Sequence, residues 1–94
     1  MLGSVKVALR ISHDKLDTEI LETIDTAKDE MARVGIEPTK ILETDPLISS
    51  AIKTFCKYAF SSEPKMQEGF FISWQYQIDC LRKSTDYMVV VVDV

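Results

Sequence analysis

The stretch "TDPLISSAIKTFCKYAF", residues 44–60, holds the strongest structural signals in this chain. Asp45 followed by Pro46 is typical of a helix start, because Asp caps free N–H groups and Pro is well tolerated at the first helical position. Apolar residues then recur at helical spacing in two adjacent stripes: Leu47, Ile48, Ala51, Ile52, Phe55, Cys56, Ala59 and Phe60. A helix with so wide an apolar face is expected at the centre of the protein.

A long amphipathic helix is predicted before this stretch, over residues 15–34. Its apolar positions lie three or four residues apart: Leu16, Ile20, Ile24, Ala27, Met31 and Val34. Asp14 is predicted to be the N-cap, and Gly35 to end the helix. The following residues 35–45, "GIEPTKILETD", are predicted to form a loop.

A further helix is predicted after the central one, over residues 65–83. The break "SSEP", residues 61–64, precedes a stripe of Met66, Phe70, Trp74, Ile78 and Leu81, with Phe71 and Tyr76 beside it. At helical spacing such aromatic residues usually belong to a core, and the remaining face is available as an interface.

The first segment allows two interpretations. Val5, Val7, Leu9 and Ile11 alternate as in a strand, whereas Leu2, Val5 and Leu9 fit a short helix capped by Ser4. A strand here would have no neighbour to pair with before Asp86, so we expect a short helix.

The ending "DYMVVVVDV", residues 86–94, is a strong strand former. An exposed strand recruits partners through its unpaired backbone groups. It could pair with residues 5–11 of the same chain, but two strands alone are only marginally stable, so we expect it to pair with another chain. The predicted fold is therefore all-α, a small bundle of one short and three longer helices over residues 1–86, with a β-strand-forming arm over residues 87–94.

Charge and composition restrict the possible functions. The net charge is −4, and residues 14–30 carry seven carboxylates against two lysines, a local net charge of −5. Without clustered Lys and Arg, tight DNA binding is not expected. No apolar run approaches the roughly 20 residues of a membrane span, and the N-terminus lacks the features of a secretory signal. We therefore expect a cytoplasmic setting, with Cys56 and Cys80 reduced and buried.

No catalytic, metal-binding or cofactor-binding residues are predicted. His13 lies near Asp14 and Asp17, but a closed metal site needs three or four fixed ligands, so capping and solvation explain these residues better. A nucleophilic pair of His13 with a core cysteine is disfavoured, since buried cysteines are seldom reactive. Phosphate-binding and nucleophile-elbow motifs do not occur in the sequence.

Three stretches together resemble the tailed-bacteriophage head-tail connector family, also called head completion, adaptor or DNA packaging proteins. They are "VKVALRISHDKLDTEILETIDTAKDEMARVGI" (5–36), "DPLISSAIKTFCKYAF" (45–60) and "LRKSTDY" (81–87). The resemblance rests on helix starts, helix ends and core positions, and it covers nearly the whole chain.

The resemblance implies a structural protein with no enzymatic activity and no cofactor. Such a protein forms a homo-oligomeric, dodecameric ring beneath the portal protein, extends the DNA channel and docks a downstream neck or tail protein. DNA passes through without sequence-specific binding, and no membrane is involved. The expected location is the head-tail junction of the virion, with the host bacterial cytoplasm as the place of assembly.

Two sets of residues are candidates for these contacts. The first set is predicted to bind the portal or a neighbouring subunit by strand addition: Tyr87, Met88, Val89, Val90, Val91 and Val92. The second set is predicted to border the channel, where negative charge would keep DNA from adhering: Glu19, Glu22, Asp25 and Asp29. The alternative function is a small cytoplasmic regulatory adaptor that binds a partner protein or peptide as a monomer. A hydrolase or nuclease subunit is a weaker third possibility.

Overall fold

Four α-helices account for most of the structure, a computed structural model that describes residues 1–84, 86 and 87. Their bounds are α1, Leu2–Leu9; α2, Asp17–Arg33; α3, Pro46–Phe60; and α4, Pro64–Lys83. A single 3₁₀ turn, Pro38–Lys40, lies in the connection between α2 and α3.

Helix α3 is the central element, since it packs against each of the other three helices. It forms an antiparallel pair with α4: Ser50 accepts a hydrogen bond from Gln77, while Phe55 packs on Trp74 with ring centroids 4.8 Å apart. Only residues 61–63 separate the two helices, and so short a connection favours antiparallel neighbours. The prediction of a central position for this helix is confirmed.

The core is one cluster of thirteen buried apolar residues, drawn from all four helices and from the connection after α2. Helix α3 contributes four of them, and all four have no exposed surface at all. The members are Val5, Ile20, Ile24, Ala27, Met31, Ile36, Ile48, Ala51, Ile52, Cys56, Trp74, Ile78 and Leu81. Most were placed on apolar stripes by the sequence, so the burial pattern follows from helical periodicity.

The helix ends follow local signals in most places. Asp45 caps α3, because its carboxylate accepts a hydrogen bond from the Leu47 N–H at 2.9 Å. Gly35 has a φ of 103°, a conformation that glycine adopts without steric cost, and it directly follows the end of α2. The first segment is a helix, as expected, but it begins at Leu2, so Ser4 lies inside it rather than capping it.

Asp14 does not cap α2, and this prediction is wrong. The helix begins at Asp17 with Leu16 as its N-cap and no side-chain cap. The Asp14 carboxylate instead accepts a hydrogen bond from Lys6 Nζ at 3.0 Å, while Asp17 lies 2.9 Å from the same ammonium group. The two carboxylates raise the pKa of Lys6, chiefly through the contact with Asp17. Charge pairing between α1 and the start of α2 therefore replaces the expected cap.

The predicted C-terminal β-strand arm is also wrong as a feature of the fold. The part of the chain that the structure describes is helical and contains no β-strand. Tyr87, the first residue of the predicted arm, lies in a turn and packs against the core cluster. The rest of that arm, residues 88–94, lies outside the described residues. A run of valines favours extended backbone locally, but at Tyr87 packing on the bundle overrides that preference.

Replacement of Ile52 by alanine tests the central role of α3. Ile52 is fully buried, so Ile52→Ala leaves a cavity and should lower the free energy of unfolding by about 2–5 kcal/mol. The matched control is Ile72→Ala in α4, whose side chain is 57% exposed and should change stability by less than about 0.5 kcal/mol. Urea denaturation followed by circular dichroism measures both, and equal losses would contradict this packing.

Candidate functional site

Tyr87, at the end of the described chain, forms hydrogen bonds with two parts of the bundle that are distant in sequence. Its hydroxyl donates a hydrogen bond to Asp45 Oδ2 at 2.7 Å, and its carbonyl accepts one from the Glu37 N–H at 2.6 Å. The Tyr87 N–H also donates to the Ser84 carbonyl at 3.2 Å. These three bonds fix the point and direction in which the chain leaves α4.

The Asp45 carboxylate makes two separate contacts. One oxygen caps α3, and the other accepts a hydrogen bond from the Tyr87 hydroxyl. Hydrogen bonds to the ionised carboxylate lower the pKa of Asp45, with the Tyr87 hydroxyl as the main cause and the backbone N–H groups adding to it. The same bond raises the pKa of Tyr87. The contact is thus favoured while Asp45 is ionised and Tyr87 is protonated.

An apolar groove of about 250 Å³ lies beside this contact, between the start of α3 and the end of α4. We call it the α3–α4 groove. Its lining residues are Leu47, Ser50, Tyr76, Gln77, Cys80, Leu81, Ser84 and Tyr87. Leu47 is 59% exposed and Tyr76 is 71% exposed, so two large apolar side chains border the groove without being covered. Such a surface is typical of a site where another chain binds.

The sequence did not identify this groove. Tyr76 was placed beside the apolar stripe of α4, yet it lies two residues after Trp74 and so projects about 160° away from that buried ring. Leu47 and Ile48 both belong to the apolar stripes predicted for α3, but Ile48 is buried and Leu47 is 59% exposed. A count of helical angles would have placed Tyr76 outside the core, whereas the groove itself depends on how α3 and α4 pack.

The two cysteines differ in their surroundings. Cys56 is fully buried, and this burial raises the pKa of its thiol to about 11. Cys80 is exposed and lines the α3–α4 groove, so the prediction that both cysteines are buried is wrong for Cys80. Cys80 was predicted to lie on the apolar side of its helix, but the buried residues of α4 are Trp74, Ile78 and Leu81.

The four predicted channel residues lie together on α2. Glu19, Glu22, Asp25 and Asp29 are all exposed, and spacings of three or four residues place them on one side of the helix. None of them takes part in an ion pair within residues 1–84, 86 and 87. The remaining acids of this helix are used internally, Asp17 by Lys6 and Glu30 by Arg33 at 2.7 Å. The unpaired carboxylates therefore form a separate acidic face.

The other predicted partner-binding residues, Met88 to Val92, lie outside the described residues. His13 is exposed, and its Nδ1 accepts a hydrogen bond from the Lys15 N–H. Within the described ranges, no three His, Cys, Asp or Glu side chains are grouped as a metal ion would require. Among the helices described, none combines the length and the apolar character needed to cross a membrane.

A small helical bundle with an apolar groove and a separate acidic face is typical of proteins that act by binding other chains. A family model described as "Phage connector protein" matches residues 1–91, so the chain belongs to the phage connector family. No curated protein and no solved structure matches the chain.

Family membership confirms the resemblance to phage connectors that was read from the helix starts, helix ends and core positions. The protein is a phage connector, a structural component of the virion that assembles with other phage head and tail proteins.

Tyr87→Phe tests the contact between the chain end and α3. Loss of the hydroxyl should lower the free energy of unfolding by about 1 kcal/mol near neutral pH. The matched control is Tyr76→Phe, since the Tyr76 side chain is largely exposed and its hydroxyl makes no hydrogen bond within the described residues. An equal effect of both substitutions would contradict the structural role of the Tyr87 hydroxyl.

The difference between the wild type and Tyr87→Phe should also depend on pH. The lowered pKa of Asp45 means that its contribution is present above the unfolded pKa of about 3.9 and is lost as the pH falls through the folded pKa. The raised pKa of Tyr87 gives a contribution that is present below about pH 10 and is lost above it. Denaturant titrations should show a constant difference from about pH 5 to 9 and a decline on either side.

Proposed function

We propose that this chain is the subunit of a homo-oligomeric ring that joins a phage portal to the neck or tail. The ring extends the DNA channel and offers a docking surface to the next component. The observation that carries this proposal is the family match over residues 1–91. The alternative, a regulatory adaptor that works as a monomer, has no comparable support.

The exposed apolar residues support a role in assembly. Eight large apolar side chains among the described residues are more than one-third exposed, although the chain has a well-formed core. They are Val7, Leu21, Leu42, Leu47, Met66, Phe71, Ile72 and Tyr76. Ring subunits bury such residues against neighbours on either side, which removes them from water.

The acidic face of α2 is proposed to border the DNA channel. Its four unpaired carboxylates, Glu19, Glu22, Asp25 and Asp29, would repel the phosphates of DNA. A passing duplex would then slide through without being held. Phosphate contacts normally dominate the affinity of proteins for DNA, so a surface that lacks cations suits passage rather than binding.

The C-terminal segment is proposed to contact the portal or a neighbouring subunit through Met88, Val89, Val90, Val91 and Val92. Tyr87 has a different role from these residues, because its hydroxyl and carbonyl are both bonded within its own chain. It would hold the start of the segment in a fixed place, which lowers the entropy lost when the segment binds.

Co-sedimentation with the portal protein of the same phage tests the connector role. The full chain should sediment with assembled cognate portal and remain in the supernatant with a portal from an unrelated phage. Negative-stain images of the pellet should show added density on one end of the portal. Failure to sediment with the cognate portal, under conditions where the chain is folded, would contradict the proposal.

Neutralisation of the acidic face tests its place in the channel. The variant Glu22→Gln with Asp29→Asn should still bind the portal, but the assembled ring should retain double-stranded DNA several-fold more strongly at low salt. The matched control, Glu63→Gln with Glu68→Gln, changes the net charge equally on exposed positions around the start of α4. Gel-shift assays measure the retention, and the same retention by both variants would place the α2 face outside the channel.

A further inference from the structure

The α3–α4 groove contains apolar surface that the described part of the bundle does not use. Leu47 of α3 lines it with 59% of its surface exposed, and Tyr76 of α4 lines it with 71% exposed. Cys80 and Leu81 of α4 are also in the lining. A volume of about 250 Å³ is enough for a few aliphatic side chains rather than a large cofactor.

Gln77, which lines the groove, also has a polar atom without a partner. Its amide nitrogen donates a hydrogen bond to Ser50 Oγ at 3.1 Å, but Gln77 Oε1 is buried and accepts no hydrogen bond from any described residue. A buried acceptor without a donor is destabilising. A chain bound in the groove that reorients the Gln77 side chain would let Oε1 accept a backbone N–H, which an aliphatic side chain alone cannot donate.

The last seven residues of the sequence have the matching chemistry. Residues 88–94, "MVVVVDV", carry six aliphatic side chains and one carboxylate, and they bring backbone N–H groups with them. Fully extended, seven residues reach about 23–25 Å. Tyr87, from which this segment continues, lines the groove, and its carbonyl accepts a hydrogen bond from the Glu37 N–H.

We propose that the α3–α4 groove binds residues 88–94 of a second copy of this chain. This inference rests on the proposed ring and names the contact between its neighbouring subunits. Aliphatic side chains of the segment pack on Leu47, Tyr76 and Leu81, and one of its N–H groups donates to Gln77 Oε1. This contact requires no particular backbone conformation of the bound segment.

This contact joins two different surfaces, a groove on one copy and a terminal segment on the next. Each copy therefore supplies its terminal segment to one neighbour and binds the segment of another in its groove. Such head-to-tail contacts close into a ring when the rotation between copies allows it. A groove that bound its own segment would produce a monomer instead.

Disulfide trapping tests the contact, because Cys80 lies in the groove and is exposed while Cys56 is buried. Val90→Cys, oxidised with copper phenanthroline in the full chain assembled on its portal, should give dimers and larger covalent species on non-reducing gels. Mass spectrometry should identify links from position 90 to Cys80. Adding Cys80→Ser should abolish them, and Ser12→Cys, in the exposed α1–α2 connection, should not form them.

A surface variant provides an independent measurement. Tyr76→Glu changes a largely exposed residue, so circular dichroism should show an intact fold. The yield of links between position 90 and Cys80 should fall about tenfold, as expected for an aromatic residue at the centre of an interface.

The outcomes separate this inference from the proposed function. Links confined to single chains, or no links in assemblies that co-sediment with the portal, would overturn the groove contact and leave the connector role in place. Links between chains that never bind the portal would support the groove contact and contradict the proposed role beneath the portal.

Discussion

Burial of the wide apolar face of α3 is the constraint on which the rest of the structure depends. Ile48, Ala51 and Ile52 have no exposed surface, and the stripes they form are too wide for a single neighbouring helix to cover. Helices α1, α2 and α4 therefore all pack on α3. Each buried isoleucine contributes about 1.5–3 kcal/mol through removal from water, and α3 supplies two of them at the place where the other three helices meet.

A second constraint places the assembly surfaces relative to this core. Asp45 both starts α3 and receives the hydroxyl of Tyr87, so the beginning of the central helix and the end of the described chain are held together. The α3–α4 groove lies beside this contact, with Leu47 and Tyr87 both in its lining. The Asp45 carboxylate therefore holds Tyr87, one of the lining residues of the groove, against the start of α3. A connector acts by binding other chains. The relative positions of its surfaces therefore matter more for its function than the chemistry of any single residue.

Much of the fold could be predicted from the sequence because its signals are local. The cap at Asp45, the stop at Gly35 and the stripe spacing of α2 each act within a few residues, and the structure places helix ends close to them. The predictions that failed depend on distant partners. Asp14 bonds to Lys6 rather than capping α2, and Tyr87 bonds to Asp45, 42 residues away, rather than starting a strand. Propensity and periodicity contain no information on such pairings.

The candidate site could be predicted only in part for the same reason. The acidic residues of α2 were identified because charge runs are visible in sequence, and the structure shows them exposed and unpaired within the described residues. The α3–α4 groove was missed because it exists only when two helices pack. The exposure of Cys80 was missed as well, because the apolar side predicted for α4 is wider than the part of it that packs on the core, namely Trp74, Ile78 and Leu81.

Hydrogen exchange of the free chain and of the portal-bound assembly is the most direct measurement. It tests whether packing around α3 stabilises the fold and whether the α3–α4 groove is covered by another chain on assembly. We expect the amides of α3 around Ile52 to exchange slowest in both states, at the rate of global unfolding. Assembly should add protection on α4 around Tyr76 and Cys80 and leave the centre of α3 unchanged. Fast exchange in α3 of the free chain, or new protection that avoids α4, would contradict it.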